Sequence, residues 1–159
     1  MLPTLLAPLG ACRGGFEKHV EPASRAVLED AGALESLTIL ALEPSLGPAE
    51  TLPPDVDAFH GYRVNGRAEV SDPAERRRLL ALVEKGMADS DDRRAACFAP
   101  RHGIRARGPG GAVDLVICYE CLWMVIHAPD GSRGEAPTAR GVEPDVTALF
   151  EAHGLSIAR

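Results

Sequence analysis

The sequence contains no apolar run of the roughly 18–20 residues that a membrane-spanning helix needs. It also lacks a surplus of positive charge. Seventeen Lys and Arg face 23 Asp and Glu, for a net charge of −6, which argues against a general nucleic-acid binder, since neutralising phosphates takes a basic face. Lysine is nearly missing, with only Lys18 and Lys85 beside 15 arginines; we read that imbalance as coding bias rather than function. No GxGxxG, P-loop, HExxH or GxSxG element occurs, so the usual local signatures for dinucleotides, phosphates, catalytic zinc and serine nucleophiles are missing. No carboxylate pair is assignable to acid–base work from spacing, and Ser71, Ser132 and Ser156 have no neighbour that would mark a nucleophile. No repeat of solenoid period is present. The sequence therefore leans away from an enzyme.

What is present is the material of one folded domain. The length of 159 residues fits a single core. With 45% hydrophobic and 25% charged residues, the chain is neither disordered nor fibrous. Four cysteines carry the chemical content: Cys12, Cys97, Cys118 and Cys121.

The first twelve residues are uncharged, and they end in Leu9-Gly10-Ala11-Cys12. That ending is similar to a bacterial lipobox, with an aliphatic residue and two small ones before a cysteine that is lipidated. Residues 1–12 thus read as a lipoprotein signal, with lipidation at Cys12 and residues 13–159 as one domain attached to a membrane by the lipid. Pro3 and Pro8 interrupt the apolar stretch and no Lys or Arg precedes Cys12, unlike an ordinary secretory leader. The competing reading is a cytoplasmic chain with a buried free Cys12.

Along the domain, Glu21-Pro22 starts a helix with Val27, Leu28 and Ala31 on one face and Gly32 as its stop. Residues 37–42 form a short apolar segment that reads as a buried strand. Asn65-Gly66, between 61–64 and 67–70, predicts a type I′ hairpin. Asp72 caps a helix that opens on Pro73 and has Glu75 in its first turn. Its buried stripe is Leu79, Leu80, Val83 and Met87, which leaves Arg76, Arg77 and Arg78 as a solvated face. Strands follow near 96–98, 104–107, 113–118 and 122–128, and a last helix opens at Glu143-Pro144 with Val146, Leu149 and Phe150 inward. This order predicts an α+β fold, a mainly antiparallel sheet with about three flanking helices.

The strands around Gly108-Pro109-Gly110-Gly111 carry the candidate site. With the turn centred between Pro109 and Gly110, residue i faces 219 − i, so His102 faces Ile117, Arg101 faces Cys118 and Phe98 faces Cys121. Cys97, His102, Cys118 and Cys121 then gather at one end of one hairpin. Three chemistries compete for them. The first is a structural zinc held by three thiolates and one imidazole, with C-x4-H and C-x2-C separated by fifteen residues. The second is a disulfide from Cys97 to Cys118 or Cys121 across neighbouring strands. The third is a redox-active Cys118-x-x-Cys121 dithiol, although such pairs usually sit at a helix N-terminus and these flanks read as β. Cys118 and Cys121 can share a partner only if the chain turns at Tyr119-Glu120, because one continuous strand would point them to opposite faces. With Cys12 lipidated, three thiols remain, an odd number that suits the metal better than pairing. His102 has a simpler role open to it as a turn cap, and Arg101 is placed to bind Glu120 through its planar fork. His60, His127 and His153 show no pairing in the sequence and default to structural roles, as Tyr119 and Trp123 default to the core or its rim.

Phe59-His60-Gly61-Tyr62, the Asp72-Pro73 helix, Cys97-Phe98-x-Pro100-Arg101-His102-Gly103 and Ile117-Cys118-Tyr119-Glu120-Cys121 together resemble a group of small, mostly uncharacterised bacterial proteins, many of them lipoprotein-like. The resemblance spans about residues 55–128 and implies the lipid anchor and the same Cys/His cluster, but no activity. Unlike that group, this chain has a short, uncharged leader. The expected function is a non-catalytic domain, tethered outside the membrane, whose cluster fixes a surface for a protein partner. The alternatives are a thiol-redox or metal-handling protein using Cys118 and Cys121, and a cytosolic domain whose acidic surface docks a basic partner.

Overall fold

The computed structural model describes residues 14–45 and 52–159. Cys12 and its lipobox lie outside the described residues. The fold is α+β, one sheet of seven strands with helices packed on one face. The strands are β1 (Ser36–Leu42), β2 (Ala58–Phe59), β3 (Tyr62–Glu69), β4 (His102–Gly108), β5 (Gly111–Cys118), β6 (Trp123–His127) and β7 (Arg133–Pro137). Their order is β2-β3-β1-β4-β5-β6-β7, and every pairing is antiparallel. The helices are α1 (Gly15–His19), α2 (Pro22–Glu29), α3 (Pro73–Ala88) and α4 (Glu143–Ala152).

The three expected helices form, the first two behind side-chain caps. The Glu21 carboxylate accepts from the Ser24 and Ala23 amides at the start of α2, and Asp72 accepts from Ala74 at the start of α3. The expected stripe of Leu79, Leu80, Val83 and Met87 is buried, as are Val146, Leu149 and Phe150 of α4. With Ile39, Ile104, Leu115, Ile117 and Met124 from the sheet, these side chains make the main core. Gly154 ends the last helix with a positive φ of 79°. The arginine triplet is not uniformly solvated. Arg76 bends back and donates to the carbonyls of Val70 and Leu34, at 2.7 and 2.8 Å, tying α3 to the sheet ends.

The β4–β5 pairing has the register read from the sequence, from Gly108↔Gly111 to His102↔Ile117. Two strand expectations are corrected. Asn65-Gly66 is not a hairpin turn: β3 runs straight through it, and the pair forms a bulge where the partner of Ala41 is Gly66 and that of Leu42 is Val64. The tight turn lies instead at His60-Gly61, where both residues have positive φ, 50° and 85°, and Phe59 faces Tyr62 across it. Residues 96–98 are not a strand either. The segment 95–101 runs along the end of the sheet, held by Ala95 N–H to Cys121 O at 2.8 Å and by the Trp123 indole to Ala95 O at 3.2 Å.

Candidate binding site on the second sheet face

Strand alternation decides where the expected ligands go. Because His102 pairs with Ile117 and not with Cys118, His102 and Cys118 point to opposite faces of the sheet. His102 faces the helices, 1% exposed, with its Nε2 3.0 Å from Thr147 Oγ1 and its ring edge-on to Tyr119 and Phe150. Burial, aided by the charge of Arg101, lowers its pKa to about 4. Its role in this structure is that of a neutral core imidazole.

The chain does turn after Cys118. Leu122 takes a positive φ of 65° and its N–H reaches Tyr119 O at 3.2 Å. That turn brings Cys118 and Cys121 together as a disulfide with Cα atoms 5.1 Å apart, inside the normal span. The expected cross-strand bond to Cys97 is thereby corrected, since Cys97 is an exposed free thiol. Of the four residues expected around one ion, His102 thus lies on the other sheet face and Cys118 and Cys121 bond to each other, and among the described residues no group of three or more His, Cys, Asp or Glu side chains converges as metal ligands do. Arg101 does pair with Glu120, at 3.1 Å, as its position suggested.

The disulfide instead anchors a wall. The Ala99 N–H points at Cys121 Sγ, 3.3 Å away, and Cys118 Sγ touches Ala99 O at 3.4 Å. This fixes the segment that carries Phe98. The Phe98 ring lies 4.2 Å from the Trp123 ring and edge-on to Tyr62.

Beyond that wall, the sheet's second face is built in rows. One row crosses four strands as Arg105, Asp114, His127 and Arg133, each residue being the direct cross-strand partner of the next. The next row contains Gly103, Val116, Val125 and Glu135. Gly103 has a steric reason: a Cβ there would stand 3.1 Å from the Phe59 ring, which lies over the sheet at that point. Val116 and Val125 are 1% and 4% exposed and form an apolar floor. Above them opens a cavity of about 350 Å³, walled by Tyr62, Phe98, His60, His127 and Arg133.

The polar side of this cavity is an ordered network. Arg105 holds Asp114 with two hydrogen bonds, at 2.8 and 2.7 Å, and His60 Nε2–H donates to the same carboxylate at 2.7 Å. Burial alone would raise the Asp114 pKa, but the Arg105 guanidinium, together with His60, outweighs it and lowers the pKa to about 2. The hydrogen bond to Asp114 commits one nitrogen of His60 as the donor and orients the ring. His60 in turn stacks on His127, with centroids 3.5 Å apart and planes 6° from parallel. Burial and the neighbouring His60 lower the His127 pKa to about 4, so that ring is neutral at pH 7. Burial also raises the Tyr62 pKa, against the opposing charge of Arg133, so the phenol keeps its proton as a donor. The site therefore offers flat rings, among them the neutral His127 imidazole, an apolar base, a phenol and one guanidinium at the mouth. Compared with known protein families, with curated proteins and with solved structures, the chain matches none of them.

Sequence reasoning gave His60 and His127 structural roles without a partner and passed over Arg105, Asp114 and Arg133, whereas the two imidazoles stack and His60 holds Asp114. Their signal was available: the register that pairs Arg105 with Asp114 continues through the 119–122 turn to pair Asp114 with His127.

Proposed function

We propose that this chain is a non-catalytic binding domain that takes a small molecule into the cavity over Val116 and Val125. The observation that carries this reading is the preformed floor and wall: two nearly inaccessible valines, aromatic sides, and a polar rim whose buried charge is already neutralised by its own partners. A cavity of this size and lining is what small-molecule sites share. Of the devices expected to fix a binding surface, this reading uses the disulfide, which fastens the Phe98 wall. Because disulfides persist in oxidising compartments, the bond also favours a domain working outside the cytoplasm, tethered through a lipid on Cys12. Cys12→Ala is expected to move the protein from the membrane fraction to the soluble one, and an unchanged distribution would end the tether.

The main test is a fragment panel followed by NMR. Binders are expected to shift the Val116 and Val125 methyl signals and the Tyr62 ring, with the helix face unaffected. A panel that leaves those signals in place overturns the reading.

One observation favours a second reading, thiol redox chemistry at Cys118 and Cys121: the two are bonded to each other and not to Cys97. Their surroundings oppose it. Cys118 and Cys121 are 1% and 2% exposed and sit on a strand-to-strand turn, without the helix N-terminus that lowers a thiol pKa. Slow labelling of Cys118 and Cys121 by an alkylating agent at millimolar reductant supports the structural role, and rapid labelling supports exchange.

A further inference from the structure

The charges around the cavity narrow the ligand class. This step rests on the cavity being a binding site. Two carboxylates approach its edge, and each has a closer partner than Arg133. Asp114 is held by Arg105 and His60. Glu135 meets Arg94 at 2.7 Å, while its distance to Arg133 is 3.6 Å. Arg94 also lies over the Trp123 ring, 5.0 Å from its centroid, so its position is fixed from both sides. Arg133 is therefore the cation with the loosest pairing at the mouth, 57% exposed and flanked in its row by the neutral His127. Among the described residues no carboxylate lines the cavity, whose one charged side chain is the Arg133 guanidinium, a partner for an anion rather than a cation. In a chain of net charge −6, a lining whose charged member is one arginine runs against the molecule's own field.

Shape adds a second constraint. The two imidazoles stack nearly parallel, the Phe98 and Tyr62 rings also line the cavity, and the base is two branched aliphatic side chains. Such rings are faces on which a flat ligand stacks, and an acid group on it has the Arg133 fork as its charged partner in the lining.

We propose that the ligand is a small planar acid, an aromatic or conjugated monocarboxylate, with its ring over Val116 and Val125 and its carboxylate on Arg133.

The test compares three probes on the full chain by NMR titration: benzoate, its neutral isostere benzamide, and acetate, which has the charge without the ring. Benzoate is expected to shift the Val116, Val125 and Tyr62 signals and to bind most tightly. Arg133→Gln is expected to weaken benzoate about tenfold, the worth of one charge-assisted contact, and to weaken benzamide by less. Arg133 lies on the exposed part of an edge strand, so this variant should keep the parent spectrum away from the site. Benzamide binding as tightly as benzoate, or Arg133→Gln leaving benzoate unaffected, overturns the acid class while the cavity reading stands. If neither benzoate nor the fragment panel moves the floor signals, the cavity reading fails and takes the acid with it.

Discussion

At the residue scale, His102 makes the structure's pH dependence measurable. An imidazole with a pKa of about 4 in the folded state and an ordinary value of about 6.5 when unfolded binds its proton more readily after unfolding. The unfolded state then holds more protons between those two values, so stability is complete above pH 6.5 and is lost as the pH falls towards 4. The full effect for one such group is on the order of 3 kcal/mol. His127 is lowered in the same direction, so two protons contribute to the slope. His102→Gln keeps a hydrogen-bonding group near Thr147 and removes one titration. Urea unfolding at pH 7, 6, 5 and 4 is expected to show a shallower loss for this variant, with the gap from the parent closing as the pH falls. Parallel curves would mean that His102 does not titrate with unfolding. Asp114 acts with the same sign in a more acid window. Its pKa of about 2 lies below the unfolded value near 3.9, so its contribution is complete above pH 4 and disappears as the pH falls through 2. Asp114→Asn leaves Arg105 and His60 without their charged acceptor. It is expected to cost about 2 kcal/mol at pH 7 and to flatten the acid limb between pH 4 and 2, both readable by thermal melts.

At the element scale, α3 shows why local propensity does not decide a substitution. Gly86 lies within this helix, and in an exposed position Ala would stabilise it by about 1 kcal/mol. Here a Cβ would stand 2.6 Å from Thr138 Oγ1 and 3.0 Å from Val142 Cγ2, while the Gly86 carbonyl accepts from Ala139 N–H at 2.7 Å. The chain leaving β7 crosses α3 at the one residue with no side chain. Overpacking there costs about 1–3 kcal/mol, which outweighs the gain, so Gly86→Ala is expected to lower stability by about 1–2 kcal/mol in denaturant titrations. A stabilised variant would show that the crossing yields. The same level explains how far the sequence could be read. Helices with caps and stripes, such as α2 and α3, announce themselves because cap and periodicity agree, and α4 does so by Pro144 in its first turn and its buried stripe. The β4–β5 register was legible because a glycine-rich turn fixes its centre. Asn65-Gly66 misled because the turn preference is local, whereas β1 pairs on beyond it and accommodates the pair as a bulge. β7, Arg-Gly-Glu-Ala-Pro, has little strand propensity and exists by pairing with β6. α1 has five residues and stands because Phe16 is buried and Gly15 lies tight against α3. The Cys/His cluster was read from position along the hairpin, and alternation then separated His102 from Cys118. A row of side chains spread over four strands leaves no motif in any one of them.

At the scale of the whole molecule, the two sheet faces have unequal cover, and the disulfide belongs to the thinner one. Four helices cover one face. The other carries a small cluster of Leu40, Leu42, Phe59, Tyr62, Val116 and Val125, with Val64, Phe98 and Trp123 packed against it. Among the described residues its cover includes the short β2 turn and the segment 95–101. The bond between Cys118 and Cys121 closes a loop of very few residues, so in the chain-entropy account its effect on global stability is about 2 kcal/mol, small beside the main core. Its local effect is larger, because Cys121 holds the segment at two points, Ala95 N–H to its carbonyl and Ala99 N–H to its sulfur. Local opening depends on such contacts rather than on the global free energy. Reduction, or the Cys118→Ala/Cys121→Ala pair, is therefore expected to leave the amides of β1, β4 and β5 protected from hydrogen exchange while those of Ala95 and Ala99 exchange at least tenfold faster. Loosening Phe98 in this way should also weaken any ligand held in the cavity, since the ring forms one of its walls. Uniform acceleration across all strands would mean that the bond supports the whole fold. Unchanged exchange at Ala95 and Ala99 would mean that the Trp123 indole and the backbone contacts hold the wall without it.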